Sequence, residues 1–259
     1  MKTIIALIVS HFCLAGHLLG GELDPSPAQQ QWFKHYAKQE NLPKPGDMLL
    51  NTQPEPELTV GFTGLFNGQD LDDWEVIGGT STFEVKDGAI RGVCLPKSDS
   101  TYLYTKQTNF ADFIFTCELK WEVEGNTGVM FRAGRTAGKK AATAYGPQME
   151  MEPFSQDRDW SGGIYGQGCG GWYYPLWLKE HAEARKAQKP DGWNRMTIVA
   201  RGPEVRTWLN GVPIAYWKTD KFLSGAFGLQ IHTGQKGAVH WRNLKVKPLK
   251  PTSTNDHQP

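Results

Sequence analysis

Three segments of the chain alternate apolar and polar residues with the two-residue period of a β-strand. In GVMFR, Val129 and Phe131 share one side while Met130 and Arg132 share the other. In PQMEMEP, Met149 and Met151 oppose Gln148, Glu150 and Glu152. In GAFGLQIH, Phe227, Leu229 and Ile231 oppose Gly228, Gln230 and His232. If these strands pair within one sheet, their polar sides line a common surface, and a site belongs there.

The same period runs through DFIFTCELKWEVEG, where Phe113, Phe115, Cys117, Leu119, Trp121 and Val123 form the apolar set. Asn210-Gly211 between two apolar runs predicts a hairpin, because both central residues of a type I′ turn need positive φ. Asp87-Gly88 predicts a second. In AVHWRNLKVKPL the alternation slips between Trp241 and Leu244, which predicts a bulge near Arg242 and Asn243. Many strands joined by tight turns, with almost no helix, predict an all-β fold, a two-sheet antiparallel jelly-roll sandwich over residues 61–249. Between Trp160 and Trp193 lies a Gly- and aromatic-rich insertion that predicts a loop and then a helix over about 176–188. Tyr165, Trp172, Tyr173 and Tyr174 in that loop read as a rim or lid, or as a cover packed shut for stability.

Residues 1–21 carry one Lys, an apolar run from Ile4 and small residues at the end, the pattern of a cleavable signal peptide, so the expected location is periplasmic or extracellular. The run is too short to span a bilayer comfortably. Residues 22–60 are Pro- and Gln-rich around one short helical stretch, AQQQWFKHYAKQE; Trp32, Phe33 and Tyr36 suit docking onto the body as well as they suit a solvated linker. Residues 250–259 read as a flexible tail. With 28 basic and 27 acidic residues the net charge is +1, which provides no field for a nucleic acid or an acidic membrane. Ten Trp, several of them in loop-like stretches, suit carbohydrate rings. Once residues 1–21 are removed, Cys94, Cys117 and Cys169 remain, an odd count with no metal-ligand spacing. No cofactor or metal is expected, with a sugar-bridging Ca²⁺ left open.

Glu150 and Glu152 share a strand face roughly 7 Å apart at about 3.4 Å rise per residue. Like charges at that range raise one pKa, so one carboxyl could act as acid and the other as base. Sandwich glucanases of the laminarinase type use a Glu-x-Asp-x-Glu array, and here its first position is Gln148. An amide is not a nucleophile, which disfavours retaining hydrolysis by that route. A Glu, a His and an Arg on one face are enough to abstract a proton beside a carbonyl and expel a leaving group. The same face could instead bind sugar without chemistry.

The runs GFTGLFNGQDLDDW, NTGVMFRAG, SGGIYG, DGWNRMTIVARGPEVRTWLNG and GAFGLQIHTGQKGAVHWRNLKVKPL resemble, in order, the 3-keto-disaccharide hydrolase domain family, over about Gly61 to Leu249. The resemblance implies a concanavalin A-like sandwich, export, and action on 3-keto glycosides made by a separate sugar 3-dehydrogenase. A 3-keto group acidifies the C2 proton, so the bond at C1 breaks by elimination followed by hydration. That chemistry needs a base and no nucleophile. Carried over by motif, Glu150 is the expected base and His232 the acid, with Arg132 polarising the keto oxygen. Gln148, Glu152, Gln230, Tyr165 and Trp172 are the expected substrate contacts, Glu152 also being the reserve base. The family's Glu-x-Gln strand corresponds here to Gln148-Met149-Glu150, with amide and carboxylate exchanged.

Overall fold

The computed structural model describes residues 20–137 and 143–250. The expected signal segment therefore lies outside the described residues except for Gly20 and Gly21, as does the expected tail apart from Lys250. An α-helix, α1 (Pro27–Tyr36), precedes sixteen strands. They are β1 (Leu49–Leu50), β2 (Thr63–Gly64), β3 (Trp74–Gly78), β4 (Thr82–Lys86), β5 (Ala89–Val93), β6 (Thr101–Thr105), β7 (Phe113–Val123) and β8 (Thr127–Thr136), followed by β9 (Thr143–Met151), β10 (Ile164–Gln167), β11 (Gly171–Tyr174), β12 (Asn194–Arg201), β13 (Glu204–Leu209), β14 (Val212–Lys218), β15 (Ala226–Ile231) and β16 (Ala238–Pro248). A nine-stranded sheet runs β1-β14-β13-β12-β7-β16-β5-β4, with β2 also on β16; a seven-stranded sheet runs β11-β10-β9-β8-β15-β6-β3. The two sheets form the expected antiparallel sandwich.

The core lies between the apolar sides read from the alternation. Phe227 of β15 sits among Phe110, Phe113 and Phe115, with ring centroids 4.7, 4.9 and 4.5 Å away. Val129, Phe131, Met149, Met151, Leu229 and Ile231 are buried with it. Their alternates on β8, β9 and β15 occupy the opposite, outer face of the seven-stranded sheet. The hairpins form where Asn-Gly and Asp-Gly predict them, with φ of 53° and 88° at Asn210 and Gly211 and 52° and 71° at Asp87 and Gly88. The β16 bulge lies between Arg242 and Lys245.

Two expectations are corrected. The helix over 176–188 is instead a pair of single 3-10 turns, Lys179–His181 and Ala184–Lys186. Leu178 bridges to Leu23, and the Arg185 guanidinium donates to the Leu176 and Leu178 carbonyls, which engages the backbone a helix would use to start. Nor do the tryptophans crowd the surface: six of the ten, Trp74, Trp160, Trp172, Trp177, Trp208 and Trp241, are buried. The segment before β1 is docked, not free. Its Phe33 packs 5.0 Å from Trp177, and buried Gln29 accepts from the Trp160 indole and donates to the Arg158 carbonyl.

Candidate functional site

Register decides which residues meet on the outer face. Gln230 of β15 stands opposite Gly128 of β8, which stands opposite Glu150 of β9. One pair along, Met130 faces Gln148, and Gln148 faces Tyr165 of β10. On the other side Gln230 faces Tyr102 of β6. Glu150, Gln148 and Gln230 are thus assembled across three adjacent strands, as the alternation predicts.

A single chain of hydrogen bonds joins them. Asn126 Nδ2 donates to Glu150 Oε1 at 2.8 Å and Gln148 Nε2 to Glu150 Oε2 at 2.7 Å. Gln148 Nε2 also donates to Gln230 Oε1 at 2.9 Å, and Gln230 Nε2 reaches Gln167 Oε1 at 3.2 Å and the Tyr102 hydroxyl at 3.4 Å. Three acceptors on this face, Gln148 Oε1, Asn126 Oδ1 and the Tyr104 hydroxyl oxygen, are buried without a partner. Each such group costs about 1–3 kcal/mol while it stays unpaired.

Burial raises the Glu150 carboxyl above the ordinary carboxylate range, and the N–H groups of Gln148 and Asn126 only partly offset it. The charge of Arg158 and, less strongly, that of His232 also pull on Glu150, and the His232 backbone N–H donates to the Asn126 carbonyl at 3.4 Å. The His232 Nδ1 lies 2.8 Å from the Thr233 carbonyl. A carbonyl only accepts, so Nδ1 carries a proton and Nε2 is the ring nitrogen left for other partners. Burial, with the Glu150 charge nearby, also raises the Tyr102 and Tyr165 phenols, which remain protonated donors. The face is closed tightly: Gln230 is 0% and Glu150 4% exposed, beneath half-buried Asn126, Tyr165, Gln167 and His232. Hollows of about 640, 780 and 570 Å³ open elsewhere, and none of the three is lined by Glu150 or His232.

Three expected site residues lie outside this hydrogen-bonded row, although the charges of Glu150 and Glu152 still act on each other. Arg132 has φ of 46° at a bulge that gives β8 one extra residue between Met130 and Gly134, so Ala133 takes the outer position that plain alternation assigns to Arg132. The guanidinium donates instead to the Ala111, Gly202 and Phe222 carbonyls at 2.8, 2.7 and 3.1 Å and to Asp112 at 3.1 Å. It ties together the loops at one end of the sandwich. Glu152 lies just past the end of β9 and pairs with Arg158 at 2.5 Å while accepting from the Trp160 N–H at 3.0 Å. Burial pushes its carboxyl up to about 7 against the pull of Arg158. Arg158 in turn is enclosed by the Trp32, Tyr36, Trp160 and Trp172 rings at 4.9 to 6.0 Å. Trp172 stands opposite Tyr165 where the pairing of β10 and β11 slips, and it is buried edge-on to Trp160 at 4.9 Å. It braces Tyr165, 5.4 Å away, and forms no rim.

Asn126, Tyr102 and Gln167 escaped the reading of the sequence. Asn126 continues the alternation of Gly128 and Met130 backwards by two, and Tyr102 alternates around Leu103. The face also needs Gly128. A Cβ there would lie 2.8 Å from Gln148 Cγ and Nε2 and 2.7 Å from the Met149 carbonyl. Gly128→Ala is expected to push the Gln148 amide off Glu150 and to cost about 1–3 kcal/mol; urea unfolding beside the wild type measures it, and equal midpoints would mean that the row yields freely.

Among the described residues no cluster of three or more His, Cys, Asp or Glu side chains could hold a metal ion. No described helix is long and apolar enough to cross a membrane.

The model of the 3-keto-alpha-glucoside-1,2-lyase-like domain matches residues 61–247. No curated protein matches the chain. Among solved structures, a "putative glycosyl hydrolase" from Parabacteroides distasonis ATCC 8503 is 21% identical, with a TM-score of 0.54 over 76% of this chain and 100% of that one. A Bacillus subtilis protein of unknown function with a galectin-like fold is 14% identical, with a TM-score of 0.54 over 77% and 100%. These two likenesses establish the fold.

Proposed function

Since the chain belongs to the 3-keto-alpha-glucoside-1,2-lyase-like domain family, we propose that it is an exported enzyme that cleaves 3-keto glycosides, with Glu150 as the base. The observation that carries this reading is a carboxyl of raised proton affinity, held by two amides on the outer sheet face with His232 near enough to act on it electrostatically. Once the half-buried Tyr165 and His232 side chains part to admit the sugar, Glu150 takes the C2 proton, and the electron pair moves onto the C3 carbonyl oxygen as an enolate. The enolate then collapses to restore the ketone, C1=C2 forms, and the C1–O bond breaks with its electrons on the leaving oxygen. His232, charged by a proton from solvent, protonates that oxygen. Water adds at C1 and a proton returns to C2, so the net change is hydrolysis. Because Arg132 is engaged at the end of the sandwich, the enolate oxygen takes its hydrogen bond from a phenol, with Tyr165 beside Gln148 best placed on the row. The substrate is supplied by a separate sugar 3-dehydrogenase.

Incubation with a 3-keto disaccharide is expected to release monosaccharide. Because the base must be ionised, kcat/KM is expected to fall as the pH drops through the raised Glu150 pKa, so the acid limb lies above the ordinary value of 4.5. A limb at or below that value would remove Glu150 from the role. A lectin-like reading is favoured by one observation, the predominance of neutral amides around the carboxyl. Binding of the sugar with no release would select it.

A further inference from the structure

We propose that Asn126 and Gln148 select the ligand by accepting from two free hydroxyl groups of the ring brought against Glu150, so the site takes neutral polyol rings and rejects acidic or sulfated ones. The inference rests on the reading of this face as the sugar site. An ionised carboxylate can only accept, so both amides must turn their N–H groups toward Glu150. Their carbonyl oxygens, Gln148 Oε1 and Asn126 Oδ1, are the two buried acceptors left without partners beside it.

The orientation of Gln148 is locked from behind. Its second N–H goes to Gln230 Oε1, and the Gln230 amide spends its own N–H groups on Gln167 Oε1 and Tyr102. Reversing Gln148 would require reversing Gln230 and Gln167 with it. The pair therefore stays accepting while Glu150 is charged. A carboxylate, a sulfate or a ketone oxygen brought against either carbonyl offers no donor, and a negative charge is repelled by Glu150 as well. The keto oxygen of a substrate must then meet a donor such as the Tyr165 phenol rather than either amide carbonyl.

The test titrates the full chain with methyl 3-keto-α-glucoside and with its 2-, 4- and 6-deoxyfluoro forms, since fluorine fills the place of a hydroxyl but cannot donate. Two of the three fluoro forms are expected to bind about tenfold more weakly. One of those losses should vanish in Asn126→Ala and the other in Gln148→Met. Losses under twofold at every position, losses untouched by both variants, or no binding of the unsubstituted probe would overturn the inference. If Gln148→Met does not fold, Asn126→Ala alone must cancel one loss for the inference to stand. Monosaccharide release from a 3-keto disaccharide, measured in parallel, separates the two ideas. Release without fluoro selectivity defeats the acceptor pair and leaves the reaction; selectivity without release does the reverse.

Discussion

Replacing Glu150 with Gln is expected to lower release from a 3-keto disaccharide by about 10²–10⁴-fold, the range a positioned general base supplies. The amide has the same size but cannot take up a proton. Its NH₂ would meet the N–H of either Asn126 or Gln148, both of which donate to Glu150 in the wild type. Asn126 is half-buried and has an unpartnered carbonyl, so it can turn and accept. The fold is therefore kept. Above the raised pKa of Glu150 the variant should be no less stable than the wild type, because it no longer holds a buried charge. Initial rates and thermal melting on the same preparation check both halves. A folded variant with an unchanged rate would mean that another group takes the C2 proton.

Arg132→Met is expected to act on stability. The wild-type side chain is sealed from solvent and donates to three carbonyls and to Asp112. Removing it leaves half-buried Asp112 and the Gly202 and Phe222 carbonyls with one partner fewer, a loss of about 3 kcal/mol, the low end for a broken buried ion pair because Asp112 keeps some contact with solvent. For a domain of this size that corresponds to a fall in Tm on the order of 10 °C. Since Arg132 does not touch Glu150, the fraction still folded should release monosaccharide at the wild-type rate per molecule. A normal Tm would refute the anchoring role, and a normal Tm with lost release would return Arg132 to the site.

The contrast between these two residues measures what can be read without coordinates. Glu150, Gln148 and Gln230 were legible because strict alternation on β9 and β15, one side of it buried, allows one assignment of faces. Arg132 was not. The bulge at its position needs a left-handed backbone, which an arginine does not announce, and one extra residue reverses every face beyond it. Glu152 and Trp172 fail for a related reason, since each lies where regular pairing gives way and a local ion pair or ring contact sets the direction. The hairpins at Asp87-Gly88 and Asn210-Gly211 and the slip in β16 carry their signals in a few adjacent residues. The 3-10 turns beyond Leu176 depend on Leu23 and Arg185, partners distant in sequence or recruited across the turn.

The place of β16 bears on how the molecule comes to be. The last strand in sequence lies inside the nine-stranded sheet, with β7 on one side and β5 on the other. Until it arrives, β4 and β5 have no backbone hydrogen bond to the rest of that sheet, and the flank of β7 stays open as an adhesive edge. Assembly of this sheet must therefore wait for synthesis to pass Pro248, and a chain stopped short of Ala238 would be cut at its middle rather than trimmed at its margin.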